Sequence, residues 1–254
     1  VPPVSPELPV PGIPTVSATA LAVRTSCLFA ALLLAACAQA PGTALPSSST
    51  AGGGEAAAAR TAAPPRPTCA EAPPDLHARQ RELAAEINLA RTDPRGYAGL
   101  VEAHYRTLGP DKVLRQGPTL IAMIEGRPAV DEAIAFLRGA QPRAPLVLDT
   151  CLSLAAQQHA VDRGAVGGFG HVGSDGSQPS ERAARHLGGP ARCAENLGYG
   201  HESAREHVMG MIVDDGVAGR GHRQILFDTR FRWLGVGVAA HRTYKTIAVE
   251  LLCI

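Results

Sequence analysis

The sequence predicts an α+β sandwich, and three observations carry that prediction. Apolar residues recur at helical spacing in several segments between Leu76 and Ala160. Two apolar or alternating runs, WLGVGVAA and TIAVELLCI, flank a turn at His241–Tyr244 and close the chain as an antiparallel hairpin. Helices therefore come before and between strands that concentrate at the C-terminal end. The third observation fixes where the domain lies. Roughly the first 68 of the 254 residues are dominated by Ala, Pro, Ser, Thr and Gly and cannot bury a core. Residues 69–254 remain, ample for one domain. The formal net charge of +1 gives no electrostatic case for nucleic acid or an acidic membrane surface, so partners must be argued from sites.

The first helix carries ELAAEINLARTDPRGYA, with Leu76, Leu83, Ile87 and Ala90 on one face and Pro94 marking its end or a kink. A second helical segment runs through Leu100 and Tyr105. From Gly109 to Gly126 regular period is lost, and PAVDEAIAFLR then forms a short helix with Pro128 in its first turn. Asp149 is placed to N-cap TCLSLAAQQHAVDRG, which Gly164 is expected to stop. A glycine-dense loop, GGFGHVGSDGSQPSER, follows. Ser177 or Ser180 is placed to cap ERAARHLG, which ends at Gly188-Gly189. CAENLGYG reads as a strand, and ESAREHVMGMIVDD as an amphipathic helix.

The N-terminal region carries a processing signal. Arg24 precedes CLFAALLLAAC, whose Leu34-Ala35-Ala36-Cys37 ending resembles a lipobox. A run of about ten apolar residues suits a signal-peptide core better than a membrane span. Residues 1–37 are thus expected to be an extension plus a lipoprotein-type signal, with Cys37 lipidated and translation starting at Val23; the alternative is an uncleaved signal anchor or an ordinary secretory signal. Residues 1–22 fit no part of such a signal. Residues 38–68 form an Ala/Pro/Ser tether whose coil dimension is on the order of 30 Å. This predicts a protein exported across the inner membrane and held at the envelope by a lipid anchor.

Export changes the reading of the other cysteines. Cys69, Cys151, Cys193 and Cys253 lack the close pairing of a zinc knuckle. An even number in an oxidising compartment points to two disulfides. Of the three connectivities, Cys69–Cys151 with Cys193–Cys253 is favoured.

Several catalytic patterns fail on inspection. Gly168, Gly170 and Gly173 satisfy GxGxxG, but the loop follows a helix and no acidic residue is placed for a ribose. His201-Glu202 with His207 is not HExxH, because the second histidine falls six residues on, roughly opposite on a helix. Ser174 and Asp175 are too close to His171 along the chain for triad geometry. There is no GxSxG elbow and no Walker loop.

What survives is dispersed: His171 in the glycine-rich loop, Glu195 in an apolar strand, Asp214 and Asp215 at a helix end, and His222 after two nearby glycines. A carboxylate at position 195 is costly to bury unless charged partners or hydrogen bonds meet it. Two histidines and two carboxylates meet that need together and suit zinc or another divalent ion. The alternative is that both histidines merely hydrogen-bond loop backbones.

Several short motifs occur in a specific order: Asn88-Leu89-Ala90-Arg91, His159-Ala160, Phe169 to Ser177, Glu195-Asn196-Leu197, Gly221-His222-Arg223 and Leu234-Gly235-Val236-Gly237. In this the chain resembles bacterial members of the CAP superfamily, the SCP-like domains related to cysteine-rich secretory proteins, antigen 5 and pathogenesis-related proteins of group 1. The resemblance covers about residues 76–254. It implies a three-layer α-β-α sandwich with a mostly antiparallel sheet and a cleft lined by His171, Glu195, His222 and a second acid, often with a divalent metal on the histidines. For the second acid, Asp215 keeps the family spacing and Asp214 is the alternative. The aromatic of the family's W-x-x-E pattern is absent, since Ile212 stands there.

These readings lead to an exported, envelope-anchored domain whose cleft binds a divalent cation and a small-molecule, lipid or sterol, or protein ligand. The alternative is a zinc-dependent hydrolase in which His171 and His222 hold the metal, Glu195 is the general base and Ser174 positions substrate.

Overall fold

The computed structural model describes residues 78–117 and 119–254. The signal sequence, Cys37, the tether, Cys69 and Leu76 lie outside them. The first helix, α1 (Ala78–Thr92), is followed directly by α2 (Pro94–His104). Pro94 opens the second helix rather than merely ending the first. Asp93 accepts from the amide of Gly96 at 2.9 Å, and proline loses nothing at a position whose N–H has no helical partner.

The stretch without period forms a hairpin. Strands β1 (Val113–Gln116) and β2 (Thr119–Ala122) pair antiparallel, and β2 is exposed along its whole length. No face of β2 is buried, so the sequence carries no alternation there. Helix α3 (Arg127–Gly139) follows. The remaining strands are β3 (Val147–Leu148), β4 (Cys193–Tyr199), β5 (Trp233–His241) and β6 (Lys245–Cys253). They make one sheet in the order β3-β5-β6-β4, with only β3 parallel to its neighbour. The predicted terminal hairpin is β5–β6.

Strand alternation divides the sheet into two faces. Cys193, Glu195 and Leu197 of β4 share a face with Val249, Leu251 and Cys253 of β6. Leu152, Ala155, Ala156 and Ala160 of α4 (Thr150–Val166) and Ala183 and Leu187 of α5 (Pro179–Leu187) join them in one core. On the other face Leu234, Val236 and Leu252 pack with α1, α2, α3, α6 (Ala204–Val213) and α7 (Gly221–Phe227) in a second core. Helices on both faces of a mostly antiparallel sheet make the α+β sandwich. Each fully buried leucine or valine contributes about 1.5–3 kcal/mol of transfer free energy.

The glycines of β5 set the distance between layers. A Cβ on Gly235 would sit 2.4 Å from the carbonyl oxygen of Leu152, and one on Gly237 2.4 Å from that of Ala156. Helix α4 therefore lies against bare β5 backbone, which the Leu-Gly-Val-Gly run permits. The Asn88–Arg91 motif is likewise structural. Asn88 exchanges hydrogen bonds with the N–H and carbonyl of Leu146, at 2.8 and 2.9 Å, and so fixes β3 at the sheet edge. The buried Arg91 donates to the carbonyls of Ala144 and Leu226.

Two helix boundaries differ from expectation. Helix α4 runs through Gly164 to Val166 and ends on Gly167 in the left-handed conformation. Gly164 is required instead by close approach, since its Cβ would meet the carbonyl oxygen of Ala240 at 2.1 Å. Helix α5 is capped by Gln178 in a reciprocal box with Glu181, not by Ser177 or Ser180. Ser180 instead bonds the backbone of Cys193.

Cys193 and Cys253 are register partners on β4 and β6 and form the expected disulfide, with Cα atoms 4.1 Å apart. Cys151 is also disulfide-bonded.

Candidate functional site

Glu195 is buried on the α4–α5 face of the sheet and meets three cationic or imidazole groups. Arg182 Nη2 of α5 donates to Oε2 at 2.7 Å, His171 Nδ1 lies 3.0 Å from Oε1, and His159 Nε2 of α4 lies 3.7 Å from the same oxygen. Arg182 also donates to the carbonyls of Ser177 at 2.7 Å and His171 at 3.0 Å, so one guanidinium neutralises the strand carboxylate and pins the glycine-rich loop. His159 anchors the same loop, with Nε2 3.1 Å from the Gly170 carbonyl oxygen. Burial lowers the His159 pKa, and that outweighs the opposing pull of Glu195. A neutral imidazole there leaves Arg182 as the principal counter-charge to Glu195.

The second pair forms on the other side of the sheet. Asp214 ends α6 with φ 54°, in the left-handed region that Asp tolerates better than most residues. The reversal points its carboxylate forward along the chain. Oδ2 accepts from the amide of His222 at 3.0 Å and Oδ1 lies 2.6 Å from His222 Nδ1. The hydrogen bond to Asp214 raises the His222 pKa, against a smaller opposing effect of burial. Asn196 ties this pair to the sheet by donating to the His222 carbonyl at 3.3 Å.

Asp214 is the acid that pairs with His222, and both Asp214 and Asp215 line the same groove. The Asp215 carboxylate accepts the amides of Ile124 at 2.5 Å, Glu125 at 2.8 Å and Gly126 at 3.2 Å, and so holds the turn into α3. Arg220 braces the same corner. It donates to the Asp214 carbonyl at 2.8 Å and pairs with Glu125 and Glu132. That pairing holds the Glu125 carboxyl down at about 2. Arg223 pairs with Glu132, donates to the Ile212 carbonyl and lies 4.9 Å above the Phe136 ring.

His171 and His222 therefore belong to two separate pairs. Among the described residues no group of three or more His, Cys, Asp or Glu side chains is arranged to hold a metal ion. Both Glu195 oxygens are engaged by His171 and a guanidinium that already supplies positive charge, and both Asp214 oxygens are engaged by His222. These residues do not fit a resident divalent ion shared between His171 and His222. Ser174 takes no part in a triad. Its amide donates to Asp162 at 2.9 Å, while Asp175 accepts from Ser177 and pairs with Arg185.

His222 and Asp214 line a groove of about 640 Å³, and His171, Glu195 and Ser174 are not among its lining residues. One wall is the β1–β2 hairpin with the end of α2, carrying His104, Gln116, Ile121 and Met123. The other is the C-terminal half of β4 and the start of β6, with Leu197 to Gly200, Tyr244 and Lys245. Met211 and Val213 of α6 add apolar surface. Gln116 Nε2 lies 2.8 Å from His104 Nε2, and burial lowers the pKa of both His104 and His201, the latter to about 4. His222 is the one groove histidine whose pKa is raised. At one end Tyr199 and Tyr244 join Phe169 and His241 in an aromatic cluster with ring centroids 5.1–6.2 Å apart.

Sequence reasoning missed Arg182, Arg220 and the hairpin wall. The cost of burying a carboxylate at position 195 does call for a cation, and ERAARHLG supplies one three residues into a helix. The hairpin leaves no comparable signal.

Residues 132–252 match the model of the cysteine-rich secretory protein family, CAP. The match covers 121 of the 254 residues, and within it the ordered motifs lie on α4, β4, α7 and β5, so residues 132–252 are similar to a CAP domain. Two solved structures are similar to it. An extracellular SCP-domain protein from Bacillus anthracis shares 20% identity over 48% of this chain and 37% of its own, with TM-score 0.37. An outer surface protein from Borrelia burgdorferi shares 20% identity over 44% of this chain and 78% of its own, with TM-score 0.38. The chain thus spans well under two thirds of the Bacillus protein's length. No curated protein matches. The hairpin at 113–122 lies outside the family match. No helix of the described residues is long and apolar enough to cross a membrane.

Proposed function

We propose that this CAP-like domain is a binding module of the extracytoplasmic space and that the groove over His222 and Asp214 receives its ligand. The observation that carries the reading is the groove's composition. Ile121 and Met123 offer apolar surface beside the buried Leu114 and Met211, while His222, the one groove imidazole with a raised pKa, and the buried Asp214 carboxylate lie among its polar lining. A concavity that combines apolar side chains with convergent polar groups is the usual form of a ligand site. Among the described residues neither His–carboxylate pair is hydrogen-bonded to a Ser, Thr, Tyr or Cys side chain, which supports binding over turnover. The Cys193–Cys253 disulfide and the family's secretory membership support export. The lipobox-like sequence ending at Cys37 supports an envelope anchor.

Untargeted mass spectrometry of small molecules, lipids and peptides released from the purified protein tests this reading. Ala122→Trp places a large ring at the exposed, groove-facing end of β2. Co-purifying material present in wild type and depleted at least tenfold in Ala122→Trp is expected. Equal recovery from both proteins would overturn it.

A further inference from the structure

One wall of the groove is a sheet edge. Among the described residues β4 ends the order β3-β5-β6-β4 and pairs only with β6. The amide of Gly200 donates to Thr246 at 3.0 Å, and the carbonyl of Arg192 accepts from Ile254 at 3.1 Å. Both pairs are in register with the ladder, so the even-numbered residues of β4 direct their backbone groups at β6 and the odd-numbered ones direct theirs outward. Cys193 conforms, since its outward N–H and carbonyl are both taken by the Ser180 hydroxyl. Leu197 and Tyr199 follow the same rule further along, where β4 lines the groove, and no described residue hydrogen-bonds their outward N–H and carbonyl groups.

We propose that the ligand is an extended, apolar-rich peptide that adds as a fifth strand along Leu197–Tyr199. This rests on the groove being the binding site and names the ligand class. The two residues offer donor, acceptor, donor, acceptor along about 7 Å of edge, a repeat that another extended main chain matches and a lipid tail does not. Strand addition draws affinity from these main-chain bonds and selectivity from pockets for alternate side chains. Here those pockets are apolar, formed by Met211 on one wall and by Met123 and Ile121 on the other. The β1–β2 hairpin stands across the groove from this edge, as a wall that a single extended peptide would share.

The test uses the full chain, isotope-labelled, and three blocked peptides: Ac-Val-Thr-Val-Thr-Val-NH2, the same peptide N-methylated at residues 2 and 4, and the peptide N-methylated at every residue. The first should shift and protect the Leu197 and Tyr199 amides. The second keeps one N–H edge free and should bind comparably despite its bulk. The third loses both edges and should bind at least tenfold more weakly, as expected when about two hydrogen bonds are lost. Affinity within twofold for the first and third peptides, or no response at the Leu197 and Tyr199 amides to the first, would overturn strand addition. Shifts at the Met123 and Met211 methyl groups without those amide responses would overturn it while leaving the groove reading intact.

Discussion

Glu195 and Asn196 are consecutive in β4 and serve opposite faces of the sheet: Glu195 meets Arg182 and His171 beside α4 and α5, whereas Asn196 donates to the His222 carbonyl beside α7. That one-residue step separates the two histidines. Each acquires its own carboxylate, and each pair does a different job.

The Glu195 side holds a buried ion pair. Removing one partner of a buried ion pair leaves the other charge uncompensated, at a cost of about 3–5 kcal/mol. Arg182→Met should lose about that much in urea unfolding. Arg182→Met with Glu195→Gln should lose clearly less than the sum of the singles, because the two groups share one interaction. Additive losses would show that Arg182 acts elsewhere.

The His222 side carries a pH signature. Its pKa is raised by Asp214, so the pair's contribution is fully present below the unfolded histidine value of about 6.5 and is lost as pH rises through the folded value. Asp214→Asn should lower the His222 pKa in an NMR titration. The stability gap between wild type and that variant should narrow as pH rises through the wild-type pKa. A gap that does not change with pH would contradict the assignment.

His201 titrates in the opposite sense. Burial, reinforced by His207, depresses it to about 4, so its neutral form is favoured and stability falls as pH drops from about 6.5 towards 4. His201→Gln should flatten that part of the wild-type acid stability profile. Unchanged acid sensitivity would exclude His201 as its source.

The α4–β5 contact should be intolerant of any side chain. Gly237→Ala puts a methyl 2.4 Å from the Ala156 carbonyl oxygen and should cost about 1–3 kcal/mol, whereas Gly99→Ala meets nothing within 4 Å and should not destabilise. Thermal unfolding of the two variants makes the comparison.

The layers and most elements were legible from the sequence because their signals are local. The periodicity of α1 and α4, the β5–β6 alternation, and the Asp149 cap lie within a few residues of what they determine. The pairing of site residues was not legible, because it depends on which face of β4 each side chain takes and on what stands opposite. Spacing favoured Asp215, yet the left-handed turn at Asp214 turns that residue's carboxylate to His222 and leaves Asp215 to three backbone amides 89–91 residues away. The β1–β2 hairpin escaped detection because both faces of β2 meet solvent.

The separation of the two pairs is tested most directly by measuring what co-purifies with His222→Ala and with His171→Ala, each checked for native fold. The groove cargo of the wild type should be lost from His222→Ala and retained by His171→Ala. Equal loss from both variants would contradict the account and restore a single shared site.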